Sequence, residues 1–335
     1  MDSIRRIPGY QFIPTTLILT GWLIYMGATH QWHLFLTEWF MSVTMAFGSF
    51  IAGATAEGGG AVAFPVMTLI FHIKPAVARN FSLAIQSFGM TSAAYLIFVR
   101  RIPVEKNYLV LCSIGGVFGM VFGAFVIAPL TSPAYTKMFF VSLWLSFGCV
   151  LFFLNTNKNR VVREELPSFS PKGKMFLVGI GFLGGIISSL VGSGIDIFSF
   201  SIMTTRYRLS EKIATPTSVC LMAGNTVIGF LLHVFALKDF QPEAWNYLLV
   251  CIPVVIFGAP LGAYFITGFT RESIVKFLYF VLLAQFLGAW LIVKPYSNIS
   301  LLLFTLTVFL IGLFFFFGFG KMNSVVQELG DKNSQ

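Results

Sequence analysis

Charge is scarce in this chain. Asp, Glu, Lys and Arg make up 10% of its 335 residues, 56% are hydrophobic, and the mean hydropathy is +0.83. That excludes a water-soluble domain, whose surface needs far more charge. Cysteine is scarce as well. Cys112, Cys149, Cys220 and Cys251 lie inside apolar segments with no CxxC pair, which argues against a disulfide framework or a zinc site. His30, His33, His72 and His233 offer no pair at metal-ligand spacing, so neither metal nor cofactor is expected. No GxxxxGK[ST] loop is present, leaving ATP-driven transport by this chain alone without support. The period-two alternation of a membrane β-barrel is missing too. The formal charge of +9 does not point to nucleic acid. Its basic residues are scattered over short loops, where in a membrane protein they set orientation.

What the chain has in abundance is apolar length. Runs near residues 10–29, 34–56, 81–99, 107–128, 135–154, 174–191, 213–236, 245–266, 273–293 and 298–320 each approach the ~20 residues that cross a bilayer as a helix. The first follows Arg5 and Arg6, exceeds a signal-peptide core and lacks a clean small-x-small cleavage site, so it is kept as a membrane helix. The expected fold is an all-α polytopic membrane protein.

Two glycine runs interrupt this pattern: Glu57-Gly58-Gly59-Gly60, and Val191-Gly192-Ser193-Gly194. Such breaks survive inside lipid only where the freed backbone is buried in protein or lines a cavity. Each is therefore read as the tip of a broken, re-entrant helical hairpin, with unpaired N–H groups of the second half-helix suited to an anion. A glycine packing seam between ordinary helices is the bland alternative, and the paired occurrence counts against it.

With the N-terminus inside and each hairpin returning to its own side, only Lys74, Arg79, Lys137, Lys238 and Lys294 of the 22 Lys and Arg residues fall outside. The positive-inside rule thus places both termini in the cytoplasm, and the plasma (inner) membrane is the expected location. The halves also align. Asn107-Tyr108, Cys112, Gly119 and Gly123-Ala124 recur 139 residues later as Asn246-Tyr247, Cys251, Gly258 and Gly262-Ala263. At an offset of 136, Val77 to Ser82 lies against Ile213 to Ser218. Each repeat has a hairpin and three crossings, and the two start on opposite sides. Inverted repeats with broken helices are the architecture of a secondary transporter. The expected organisation is an N-terminal segment with a flanking helix (1–33), repeat one (34–154), a cytoplasmic linker (155–173), repeat two (174–293), a C-terminal helix (294–320) and a loose polar tail (321–335).

A glycine-rich run after a helix, a downstream A-x-x-x-S or A-T-x-T-S stretch, and the recurrence of both resemble the TauE/SafE sulfite exporter family over about residues 38 to 293. The resemblance implies a carrier of sulfite, organosulfonates or other small sulfur-containing or carboxylate anions, held within a lipid bilayer. Two features depart from the family pattern. Glu57 directly precedes the first run, and Ser193 with Asp196 stands where an all-glycine second run is expected.

The candidate substrate contacts are Gly58, Gly59, Gly60 and Ala61 at one tip and Gly192, Ser193 and Gly194 at the other. Ser82 and Gln86 follow on one helix, and Thr217, Ser218 and Asn225 on its counterpart. Hydrogen bonding between helices is the competing explanation for these polar side chains. Glu57 and Asp196 are the acidic groups expected deep in the bilayer, where an unpaired carboxylate is costly. Each either takes up a proton and couples it to anion movement or caps a half-helix. Arg79 and Asn80 are candidate gating residues, with an interfacial snorkelling arginine as the alternative. Two rival functions remain: a cation carrier using Glu57 and Asp196, and, remotely, an intramembrane protease. The latter lacks a G-x-S-G setting for Ser193 and a second buried aspartate. The expected function is therefore alternating-access transport of a small anion, sulfite or an organosulfonate, held at the two opposed glycine-rich half-helix N-termini, with proton coupling as an option and oligomeric state open.

Overall fold

The computed structural model describes residues 13–55, 63–64, 66–156 and 162–332. Its elements are helices: α1 Ile13–Thr29, α2 Leu34–Thr37, α3 Trp39–Ala54, α4 Pro75–Val99, α5 Lys106–Phe122, α6 Pro133–Thr156, α7 Pro171–Val191, α8 Ile195–Thr205, α9 Glu211–Leu231, α10 Pro242–Ile266, α11 Arg271–Val293 and α12 Ile299–Lys332. π-helical turns prolong α5 through Ile127 and α9 through Ala236. Among the described residues, eight helices are long and apolar enough to cross a membrane, and the protein is an all-α polytopic membrane protein.

Three boundaries differ from the hydropathy reading. The run at 34–56 is not one straight span: the chain bends by 78° between Thr37 and Trp39. Glu38 sits at the bend, where a carboxylate would otherwise interrupt an apolar helix. The next crossing starts at Pro75 rather than residue 81, because proline at the first helical position suits a start and the polar Arg79 and Asn80 remain in the helix. The tail expected from residue 321 onward instead continues α12 to Lys332, with no proline to stop it.

α4 forms the centre. Of its apolar window 67% is buried, against 22% for α12, which lines the outside of the bundle. It packs on α9 and α10, while α5 packs on α7 and α10 on α3. Glycine makes the last two seams close. A methyl at Gly119 would overlap the carbonyl of Phe182, and one at Gly123 the Ser189 hydroxyl. Their aligned partners Gly258 and Gly262 press on Ser49 and the Phe50 carbonyl of α3 in the same manner. Helices in lipid associate by such backbone approach, since no hydrophobic effect separates helix from lipid tail.

Candidate functional site

The second glycine run builds a true helix break. α7 closes on Gly192, whose φ of 81° is the left-handed conformation open to glycine, and its N–H donates to the Ser188 carbonyl at 2.8 Å. The chain turns through Gly194 at φ 151° and starts the 11-residue α8. Hydrogen bonds from α4 and α7 hold this tip. Gln86 Nε2 of α4 donates to the Gly192 carbonyl at 2.7 Å and to the Ser82 carbonyl at 2.9 Å. The Ile195 N–H donates to Ser188 Oγ of α7 at 2.9 Å. Asn225 of α9 lies beside Ile195, both bordering the space a methyl at Gly116 would take.

Asp196 occupies the amides of the break. Its carboxylate accepts from the Gly194 N–H at 3.0 Å and from Ser193 Oγ at 3.4 Å, and the backbone of Ile197 adds to the same set. The geometry is that of a cap: a negative group on the positive end of a half-helix. Other polar atoms here lack partners. Ser82 Oγ, Gln86 Oε1 and both amide atoms of Asn225 are buried without a hydrogen bond among the described residues. Unmet polar atoms in a dry interior are costly, which marks places where water or a ligand belongs.

A cavity of about 260 Å³ opens at the other end of α4. Gly53, Ile97, Thr215, Pro216, Ala263 and Ile274 line it, and the exposed side chains of Glu164 and Lys212 stand around it. Among the described residues Thr215 Oγ1 is buried there without a partner, and Pro216 offers no N–H to the carbonyl of Lys212. The loops beyond Val99, before α9 and after α10 all reach this cavity, so it opens at a single face.

At the opposite end of α4 lies an ion-paired cluster. Ile97 and Arg79 are 18 residues apart in one helix, about 27 Å at 1.5 Å per residue. Arg79 meets Asp239 at 3.3 Å, and Asp239 accepts His233 Nδ1 at 2.7 Å. Asn80 Oδ1 accepts from Arg79 Nε at 3.1 Å while its amide nitrogen donates to the Asp239 carbonyl and to Gln241. The cluster ties the start of α4 to the π-helical end of α9 and the loop before α10.

The expected residues therefore divide. Ser82, Gln86, Gly192, Ser193, Gly194, Asp196 and Asn225 converge on the break before α8. Thr217 and Ser218 are engaged elsewhere: Thr217 accepts from the Glu105 N–H at 3.0 Å and donates to the Ile213 carbonyl, and Ser218 donates to the Thr215 carbonyl. Arg79 and Asn80 belong to the ion-paired cluster at the other end of α4. Glu57, Gly58, Gly59, Gly60 and Ala61 lie outside the described residues. Gly192 presses on Ser82 near one end of α4, whereas Gly53, the last glycine before that segment, borders the cavity at the other. Asp239 and His233 carried no signal as a pair with Arg79, which is 160 residues from Asp239. Among the described residues, no group of three His, Cys, Asp or Glu side chains is placed to hold a metal.

The family model described as Sulfite exporter TauE/SafE matches residues 41–288. The match takes in α3 through most of α11 and leaves α1 and α12 outside. No curated protein and no solved structure matches the chain.

Proposed function

The chain belongs to the TauE/SafE sulfite exporter family, and on that premise we propose that it carries sulfite or a small organosulfonate across the membrane by alternating access. It is a membrane transporter, not an enzyme. The observation that carries the proposal is the asymmetry of α4, with a cavity at its Ile97 end and an ion-paired closure at its Arg79 end. A carrier caught facing one side has this form, and a channel does not. The cavity face is the one that the distribution of Lys and Arg assigns to the cytoplasm. The inverted-repeat reading gains support from the two close helix seams, in which aligned glycines meet aligned helices.

In this scheme the two glycine breaks serve the two faces in turn. The run Glu57 to Ala61 receives the anion on one face. The break at Gly192 to Gly194, with Ser82, Gln86 and Asn225, receives it on the opposite side once Arg79 parts from Asp239. Thr217 ties α9 to Glu105 at the start of α5, and Ser218 bonds within α9. Asp196 stands in for the anion meanwhile and leaves the amides when the anion arrives. A proton taken up by the released carboxylate would couple transport to the proton gradient.

Reconstituted vesicles test the reading. Efflux of preloaded sulfite or methanesulfonate, saturable and faster than from empty vesicles, is the expected result. If the Glu57→Gln/Asp196→Asn protein loses a cation flux and the native protein moves no anion, the cation-carrier reading replaces this one.

A further inference from the structure

α1 leans on the bundle without being built into it. Of its 17 residues, Trp22 and Met26 are buried. The Trp22 indole pins it, donating from Nε1 to the Leu249 carbonyl of α10 at 2.7 Å. That carbonyl is free because Pro253, four residues on, has no N–H to return to it. Beside this contact a groove of about 610 Å³ runs between α1, α4 and α10. Leu17, Phe88 and Ile252 give it apolar walls, and a methyl built at Gly21 would meet nothing within 4 Å. Gln31 and Asn246 supply polar lining. Among the described residues the Gln31 Oε1 atom is buried without a hydrogen bond, and no basic side chain lines the groove. The exposed Glu243 shares the first turns of α10 with Trp245 and Asn246.

The dimensions of the groove select its occupant. Pro242 and Ile252 are ten residues apart along α10, about 15 Å at 1.5 Å per residue. That is one leaflet, half of a hydrocarbon core ~30 Å thick. A helix from a second copy of the chain packs through both leaflets, whereas one acyl chain fills one. The polar end lies beside the Arg79 cluster, because Gln241, next to Pro242, accepts from Asn80 at 3.1 Å. Trp22, Tyr25 and Trp245 suit that interfacial depth. A buried amide oxygen only accepts, so whatever fills this end must donate. We infer that the groove binds one phospholipid with a primary ammonium head group, phosphatidylethanolamine. Its acyl chain lies along Gly21 and its ammonium donates to Gln31 Oε1, with the Glu243 carboxylate favouring the positive head. A choline head group has no N–H to offer, and an anionic glycerol head group meets the wrong charge. This site is independent of the anion that the protein carries.

The experiment uses the full chain, delipidated in detergent, with dioleoyl phosphatidylethanolamine, phosphatidylcholine and phosphatidylglycerol as probes. Native mass spectrometry reads the bound lipid and thermal unfolding reads the stabilisation. Native protein should bind one phosphatidylethanolamine about three- to tenfold more tightly than phosphatidylcholine, the worth of one hydrogen bond. Gln31→Leu should erase that preference while still holding an acyl chain, and Gln31→Glu should keep it. Gly21→Leu fills open space, so it should lose the bound lipid with its lipid-free melting temperature nearly unchanged. Equal binding of the two lipids by native protein overturns the inference, as does a preference that survives Gln31→Leu. Tighter binding of phosphatidylglycerol than of phosphatidylethanolamine overturns it too. Undiminished binding by Gly21→Leu has the same consequence; if that variant does not fold, Gln31→Leu alone decides. A lipid-free protein that runs as a dimer, and as a monomer once Gly21→Leu is introduced, would assign the groove to a second copy of the chain instead.

Discussion

Arg79 and Thr215 occupy matching places in the 136-residue alignment of the two halves, yet their surroundings are opposite. Arg79 is locked to Asp239 at 3.3 Å, with Asn80 bridging to the same loop. Thr215 lines a cavity of about 260 Å³ with its hydroxyl unpartnered among the described residues. Two stretches of similar sequence thus take a closed form at one end of the molecule and an open form at the other. For a carrier, that difference is the working principle: the closed end shows what the open end becomes after the switch. Energetically, the closed end is held by charge-assisted hydrogen bonds at a half-exposed surface, which are strong enough to bias a state and weak enough to release it.

The comparison can be broken at either end. Thr267→Trp places an indole at the exposed rim of the cavity and should abolish transport while leaving the melting temperature nearly unchanged, since surface substitutions usually stay within about 0.5 kcal/mol. Vesicle flux and thermal unfolding on the same preparation check both halves of that statement. Asp239→Ala unlocks the closed end and should lower stability by about 1–2 kcal/mol, less than for a fully buried pair because Asp239 is 42% exposed. Combined with Arg79→Ala, the loss should be smaller than the sum, as a double-mutant cycle would reveal. Asp196→Ala removes the cap of α8 at a cost of about 1 kcal/mol. It should also enlarge the thermal shift produced by methanesulfonate, because the internal competitor is gone; an unchanged shift would separate Asp196 from the anion route. The smallest effect belongs to Thr215→Val. Removing an unpartnered hydroxyl should leave stability nearly level, yet raise the half-saturating anion concentration by about three- to tenfold, the worth of one hydrogen bond.

Much of this architecture is legible in the amino-acid order. Hydropathy locates the membrane helices because lipid demands long, internally bonded apolar elements, and the helix break at Gly192 to Gly194 follows from glycine itself. The bend at Glu38 and the early start at Pro75 were also written in single residues, a lone acid and a proline at the first helical position. The candidate site was legible only in part. Ser82, Gln86 and Asn225 are polar residues in apolar helices and announce themselves, and they do gather at the break. The lock on Arg79 is invisible beforehand, since Asp239 and His233 meet it only after α9 and α10 fold back on α4. Lys137 hides for the opposite reason. One turn from the start of a crossing, a lysine looks like an interfacial cation until the fold buries it.

The direct measurement is cysteine accessibility from both sides, in a protein freed of its four native cysteines and placed in sealed vesicles of known orientation. Thr215→Cys should react with a membrane-impermeant maleimide from the cavity face only, and Ser82→Cys from neither side. A substrate gradient that favours the other state should then protect Cys at 215 and expose Cys at 82 to the opposite face, the two rates changing reciprocally. Simultaneous exposure of both positions, or of 215 from both faces, would contradict alternating access and make the cavity part of a continuous pore.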